Sequence, residues 1–297
     1  MRFAAIDIGT NAARLLVGKV VDNGSGSYVE KISYTRIPLR LGESVFELGK
    51  ISERKETDFV KSMEAFKLIS EIFDVEQIRA CATSAMREAD NGEEVQKRIL
   101  EETGVNIEII SGKEEAKLIF STFTLMKLDD GVPFVVVDVG GGSTEVSVFE
   151  NGERVASKSF KIGTIRLLKG VTQENIWQEM HDWLENHVDL SSVHRIFATG
   201  GNINKAHKIL GAGHLEPIRI EAITDLRDEL EPLSVKERIN RFQLKPDRAD
   251  VLVPALNIYL YVLETLGCSE IIVPKIGLSD GMIYNMYLQH NTINSSI

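Results

Sequence analysis

The sequence predicts an α/β protein made of two similar halves, each a mixed sheet flanked by helices. Three observations carry this. The first is a doubled pattern. Near the start stands Phe3-Ala4-Ala5-Ile6-Asp7-Ile8-Gly9-Thr10-Asn11-Ala12-Ala13-Arg14-Leu15-Leu16-Val17-Gly18: an apolar run closing on an aspartate, a glycine beside a hydroxyl residue, then a second apolar run. Val135-Val136-Val137-Asp138-Val139-Gly140-Gly141-Gly142-Ser143-Thr144-Glu145-Val146-Ser147-Val148 repeats it with three glycines. Similarity within one chain reports on architecture before other signals do. The second observation is that β-branched runs alternate with helical-period segments along the chain. The third is size: 297 residues with 43% apolar side chains suffice for two domains with their own cores.

The elements follow in order. Both second strands run on to an Asn-Gly pair, Asn23-Gly24 and Asn151-Gly152, which predicts hairpins. Residues 28–41 read as extended and end in Arg36-Ile37-Pro38-Leu39-Arg40-Leu41-Gly42. Ser52 is placed to cap a helix over 52–73, with Phe59, Met63 and Phe66 on one face. A strand over 78–81 delivers Ala82-Thr83-Ser84-Ala85-Met86-Arg87-Glu88-Ala89 at its carboxyl end; a helix over 92–103 and a strand over 107–110 follow. Ser111 and Glu114 have the spacing of a capping box opening a helix to about residue 125. Leu128-Asp129-Asp130-Gly131 marks the expected boundary between a first domain, 1–128, and a second, 129–278, hinged to close on a ligand. The second domain continues with a strand over 155–160, then Ile162-Gly163-Thr164-Ile165-Arg166, a helix over 174–188 and a strand over 195–198. Thr199-Gly200-Gly201-Asn202 is a third glycine turn. Residues 221–247 read as helical with a polar linker, 248–266 as a long apolar helix tolerating Pro254, and 271–274 as the last strand. The final helix, about 279–290, is expected to return to the first domain with the frayed tail to 297.

Composition excludes several classes. No run of eighteen apolar residues is present, and no basic, apolar leader precedes the first strand, so a membrane span or export signal is not expected and the cytoplasm is. Cys81 and Cys268 both sit beside apolar runs and read as buried free thiols. A net charge of −10 argues against a nucleic-acid coat but allows a polyanion in a locally basic cleft. None of the six histidines has a partner at metal-ligand spacing, which argues against zinc. Trp177 and Trp183 read as packing residues.

The glycine turn carries the chemistry. Asp138 closes a buried strand, where a carboxylate is costly without a partner. Successive glycines let backbone N–H groups converge on one concavity, and such nests hold phosphate. Ser143 and Thr144 add hydroxyls, and Glu145 returns a second carboxylate, a set suited to a divalent cation holding a phosphate. The plain alternative is a hairpin whose glycines serve only the turn.

Taken together, Asp7-Ile8-Gly9-Thr10-Asn11, Ala82 to Ala89, Ile110-Ser111-Gly112-Lys113-Glu114-Glu115-Ala116 and Asp138 to Glu145 resemble, in order, the exopolyphosphatase/guanosine pentaphosphatase (Ppx/GppA) family. Thr199-Gly200-Gly201 and Arg248-Ala249-Asp250 are similar to its later motifs. The resemblance implies the duplicated actin-like ATPase (ribonuclease H-like) fold, two domains around a central cleft. It also implies a phosphohydrolase that removes terminal orthophosphate from polyphosphate or guanosine pentaphosphate with Mg²⁺ assistance and in-line attack by water. Gly9, Thr10 and Asn11, with Gly140, Gly141, Gly142, Ser143 and Thr144, would cradle phosphates. Asp138 and Glu145 would face Mg²⁺, with Asp7 as a further ligand or support; Asp7 capping its own turn is the alternative. The resemblance picks Glu115, directly before Ala116, over Glu114 as general base, its pKa raised by burial or its neighbour. The alternative is that both acids only favour a helix N-terminus. Arg87 would bind phosphate bidentately, or else pair with Glu88 or Asp90. Thr83, Ser84, Arg40, Gly200 and Gly201 are rim candidates, as are Arg14, Lys161, Arg166 and Lys205; Arg248 reads as structural.

The chain also departs from the family pattern. Thr10 stands for the usual Ser, Asn202 for a common Thr, and Ser279-Asp280-Gly281 for Arg-Glu-Gly; the C-terminal helical domain of longer members is not matched. Two other readings stay open: a kinase or ATPase of the same fold, and a non-catalytic alarmone or polyphosphate sensor. The expected partner is a polyanion, with neither nucleic acid nor membrane, and the resemblance leaves a homodimer open.

Overall fold

The computed structural model describes residues 1–22, 24, 26–123, 126, 131–189 and 194–294. Asn23 of the first expected turn, Leu128-Asp129-Asp130 of the expected boundary and residues 295–297 of the tail lie outside the described residues. Two compact units are present: Met1–Leu128 with Ile276–Ile297, and Asp129–Lys275.

In the first unit the strands are β1 (Phe3–Ile8), β2 (Ala13–Asp22), β3 (Ser27–Ile37), β4 (Gln77–Ala82) and β5 (Ile107–Ile109), in the order β3-β2-β1-β4-β5. β1, β2 and β3 form an antiparallel meander; β4 and β5 run parallel to β1. The second unit repeats this with β6 (Phe134–Val139), β7 (Thr144–Glu150), β8 (Glu153–Phe160) and β9 (Arg195–Thr199), in the order β8-β7-β6-β9. β6 pairs antiparallel with β7 and parallel with β9, as β1 does with β2 and β4. A parallel bridge from Phe197 to Ile272 stands where β5 stands in the first sheet. A small ribbon of β10 (Ile218–Arg219) and β11 (Glu270–Ile271) completes the unit.

The repetition extends to register. Asp7 faces Arg14 across the first hairpin and Asp138 faces Glu145 across the second. The Gly9 N–H donates to Ala12 C=O at 3.1 Å, and the Gly140 N–H to Ser143 C=O at 2.9 Å. The doubled sequence pattern is therefore a doubled structure, a duplicated α/β fold of two mixed sheets.

Each unit has its own core. Phe59, Met63 and Phe66, on the helix Glu53–Ile72, are fully buried against the first sheet. Burial of each such side chain stabilises by roughly 1.5–3 kcal/mol. Ser52 stands at the N-cap but makes no side-chain cap; its carbonyl takes the Glu56 N–H. The helices Gly92–Thr103 and Gly112–Phe123 lie where the periodicity places them. The extended reading of 28–41 holds only as far as the turn before Leu41; the helix Leu41–Leu48, which the pattern does not signal, starts directly after Arg40, whose left-handed conformation (φ 49°) turns the chain into it. The expected long helix over 248–266 is two pieces, Pro246–Ala249 and Leu252–Thr265. Pro254 thus falls in a first turn, where a missing N–H has no intrahelical partner to lose. Cys81 is buried as expected, whereas Cys268 is only half-buried. No helix among the described residues is long and apolar enough to cross a membrane.

The last helix, Leu278–Asn294, packs on β1, β2 and the helix Gly112–Phe123. A Cβ on Gly281 would stand 1.9 Å from the Leu118 carbonyl oxygen, so only glycine permits this approach.

Candidate functional site

In the first unit the carboxyl ends of the parallel strands are laced together. The Thr83 N–H donates to Ile8 C=O at 3.1 Å, and the Ile110 N–H to Ala82 C=O at 2.9 Å. Residues 9–11, 83–87 and 110–115 therefore leave the sheet at one end, where ligands of open α/β sheets bind. The Gly9 turn is backed from behind: Arg40 N–H donates to Asn11 C=O (2.9 Å) and Gly42 N–H to Thr10 C=O (3.0 Å). The Arg40 side chain is turned to Glu43 at 2.7 Å, a carboxylate shared with Lys55 at 3.1 Å. Burial opposes ionisation of Glu43, but Lys55 and Arg40 together hold its pKa below the usual value.

Arg87 donates to Ile110 C=O at 2.6 Å, while Ser84 Oγ donates to Glu88 at 2.8 Å. The arginine thus fastens the Thr83 turn to the segment that carries the two glutamates. Ser111 Oγ takes the Glu114 N–H at 3.2 Å and Ser111 C=O takes the Glu115 N–H at 2.9 Å. Half of the expected capping box is present; the Glu114 carboxylate instead lies 3.9 Å from Lys117. Glu115 is half-buried, with Oε2 shielded from solvent.

Asp7 does not stand open. Arg14 Nη1 donates to its Oδ2 at 2.6 Å. In the place of Glu145 this sheet has a guanidinium, which neutralises Asp7 and suits a cation poorly. The Ser279-Asp280 departure is also absorbed within this unit. Asp280 takes the Gly277 N–H at 3.0 Å, and Lys31 Nζ lies 2.9 Å from its carboxylate.

In the second unit the helix Thr164–Lys169 supports the glycine loop. Thr164 N–H donates to Gly140 C=O (3.0 Å), Ile165 N–H to Gly141 C=O (2.8 Å) and Arg166 Nε to Gly142 C=O (2.6 Å). A planar trans peptide points its C=O and the following N–H in opposite directions. Three carbonyls held back therefore aim the N–H groups of Gly141, Gly142 and Ser143 the other way. Among the described residues no backbone carbonyl takes those three N–H groups. Gly163 permits this approach: a Cβ there would be 2.6 Å from the Gly141 carbonyl carbon.

Asp138 and Glu145 are directly paired across β6 and β7, so their side chains share one face. Glu145 is 4% exposed and takes a hydrogen bond from Ser159 Oγ at 2.7 Å. Two adjacent carboxylates at the strand ends that flank this loop fit Mg²⁺, a hard cation that keeps several waters. Thr144 is fully buried and its hydroxyl donates to Ile162 C=O at 2.7 Å. It shapes the loop from within, a correction to the expectation that its hydroxyl faces a ligand.

Beneath Asp138 lies Tyr259, which the sequence reading did not single out. Its hydroxyl donates to Thr199 C=O and takes the Val139 N–H at 3.3 Å, joining the ends of β6 and β9. Burial, then the Asp138 charge, pushes its pKa well up. Gly200 (φ 111°) fits against the same carboxylate; a Cβ would be 2.9 Å from Asp138 Oδ1. The Arg248 guanidinium packs on Gly201, 2.8 Å from where a Cβ would be, and donates to Asn202 at 3.3 Å, in keeping with its structural reading. Lys205 donates to Phe242 C=O at 3.4 Å, and Lys161 is exposed on the surface. Arg166, read as a rim charge, is instead buried behind the loop.

Known proteins carry the same architecture. A crystal structure of a family member from Aquifex aeolicus is 27% identical, with a TM-score of 0.76 over 98% of this chain and 99% of that one. Exopolyphosphatase 1 of Mycobacterium tuberculosis is 32% identical over 169 residues, 57% of this chain and 48% of the relative. A guanosine-5'-triphosphate,3'-diphosphate pyrophosphatase of Aliivibrio fischeri is 26% identical over 306 residues, 98% of this chain and 61% of the relative. The match thus spans about half the length of the mycobacterial relative. The model of the Ppx/GppA phosphatase family matches residues 19–290, and with the duplicated sheets and the backed glycine loop in place, the chain belongs to that family.

Proposed function

We propose that the protein is a phosphohydrolase that releases terminal orthophosphate from inorganic polyphosphate, guanosine pentaphosphate or both. The observation that carries this reading is the 140–142 loop, whose three carbonyls are tied back so that the N–H groups of the same peptides face the other way. Such preorganised donors stabilise the charge on phosphoryl oxygens without reorganising during reaction. Relatives that bear the names exopolyphosphatase 1 and guanosine-5'-triphosphate,3'-diphosphate pyrophosphatase support the substrate class.

In this reading Glu115 accepts the proton of the attacking water as its oxygen bonds to the terminal phosphorus and the bridging P–O bond breaks. Ser111, which holds the Glu114 and Glu115 amides, fixes the helix start that presents the carboxylate. Gly141, Gly142 and Ser143 donate N–H groups to the phosphoryl oxygens; Gly9, Thr10 and Asn11, backed by Arg40 and Gly42, form a second cradle. Arg87 adds a guanidinium. Mg²⁺, when bound, neutralises phosphate charge, and Asp138 and Glu145 are the residues that would hold it. Asp7 we place one step behind, orienting Arg14.

Orthophosphate release is measured with and without Mg²⁺ on short polyphosphate, long polyphosphate, guanosine pentaphosphate and ATP. Mg²⁺-dependent release from at least one of the first three, lowered about 10²–10⁴-fold in Glu115→Gln but little in Glu114→Gln, is the expected result. Tight binding with no release from any substrate would leave the sensor reading instead. Equal turnover in Glu115→Gln and wild type would remove the base.

A further inference from the structure

The two phosphate-loop candidates are built on one plan, with one difference. In the first unit, Thr10 and Asn11 carbonyls are taken by backbone N–H groups at the start of the helix Leu41–Leu48. In the second, Gly140 and Gly141 carbonyls are taken by backbone N–H groups at the start of the helix Thr164–Lys169. The third carbonyl of the second loop, Gly142, is taken by a side chain, the Nε of Arg166 at 2.6 Å. That arginine is 7% exposed, so its Nε meets the carbonyl away from solvent. A neutral residue would suffice as packing; a buried cation needs partners.

We infer that Arg166 is a positioning residue for phosphoryl binding, acting through the Gly142–Ser143 peptide. Holding the Gly142 carbonyl back aims the Ser143 N–H outward, because the two groups of one planar peptide are opposed. The loop's own hairpin bond does not do this, since it runs from Gly140 N–H to Ser143 C=O and engages neither group of the Gly142–Ser143 peptide. Gly163 keeps the helix start close enough for the guanidinium to reach. A charge-assisted donor is stronger than a backbone amide. The last peptide of the loop thus has its strongest anchor. The inference rests on the reading that this loop binds phosphoryl groups.

The test uses the full chain with Arg166→Met, which keeps length without a donor, and Arg166→Lys, which restores one. Three quantities are read: KM and kcat for orthophosphate release from the substrate wild type prefers, the Kd of inorganic pyrophosphate by calorimetry, and the slope of log KM against log salt. Arg166→Met is expected to raise KM and the pyrophosphate Kd together by about tenfold, the worth of roughly one charge-assisted hydrogen bond. The salt slope should match wild type, and Arg166→Lys should recover most of the loss. A purely structural role would lower the active fraction, hence kcat, at unchanged KM and Kd, and would overturn the inference. A shallower salt slope in Arg166→Met would also overturn it, since that marks a cation touching the polyanion directly. Should Arg166→Met fail to fold, Arg166→Gln carries the same three measurements. If wild type neither releases phosphate nor binds pyrophosphate, the functional reading itself fails, and this inference fails with it.

Discussion

The hydroxyl of Tyr259 is one oxygen on a helix that is otherwise apolar toward the core, yet two strand ends depend on it. It donates to one backbone group and accepts from another, and both are buried. Tyr259→Phe keeps the ring and removes only that oxygen, so a buried N–H and C=O lose their partner. Urea unfolding should show a loss of about 1–3 kcal/mol. If Asp138 and Glu145 hold Mg²⁺, the same variant should need more of it for half-activation. The thiols make a second case at this scale. Burial pushes Cys81 up to about 12, while Cys268 is raised less and stays half-exposed. A thiol with a raised native pKa favours the fold fully below its unfolded value near 9, and that contribution is lost as pH climbs toward 12. Iodoacetamide at pH 8 should therefore modify Cys268 slowly and leave Cys81 intact until the protein is denatured; mass spectrometry of native protein checks it. Asp138, the three glycines and Glu145 were legible in the sequence because backbone chemistry demands those residue types side by side. Tyr259 was not, since its partner Val139 lies 120 residues away. The Arg14–Asp7 pair was within reach: the hairpin register that pairs Asp138 with Glu145 also pairs Asp7 with Arg14.

At the scale of the element, loops and helices act as pairs. Each glycine turn is shaped by the first turn of a helix that follows the third strand of its sheet. The hydrophobic pattern located the strands and most helices but hid this pairing, because the helix Leu41–Leu48 starts from a left-handed residue inside what reads as extended chain. Likewise, the apolar stretch that reads as one helix is broken at Asp250–Val251, where no glycine signals the break. The contact of the last helix with the helix that carries Glu115 is a stricter case. With 1.9 Å between a Gly281 Cβ and the Leu118 carbonyl oxygen, backbone must move. Gly281→Ala should lower stability by about 2 kcal/mol or more, in the range of overpacked contacts. It should also reduce turnover more than Gly277→Ala, since nothing lies within 4 Å of a Cβ there and the backbone at Gly277 is not left-handed. Thermal unfolding and phosphate release on the two variants decide it, and equal behaviour would show that the helix pair relaxes freely.

At the scale of the molecule, duplication organises the fold. The order of four strands, the hairpin register and the backing helix recur in both units, and at the glycine turns the units differ in Arg14 against Glu145 and in Arg166 as an extra anchor. That duplication was legible as a repeated run of residue types; the Arg166 anchor was not, because Arg166 lies 24 residues beyond Gly142, outside the hairpin. The division of the chain is uneven in one respect. The second unit is a continuous stretch, Asp129–Lys275, whereas the first is closed only by Ile276–Ile297. During translation the second unit is therefore complete first. At about 5–20 residues per second, β1 waits roughly 15–55 s for the helix that covers it. For that interval the sheet face that this helix covers is without its partner, and the first unit to be begun is the last to be complete.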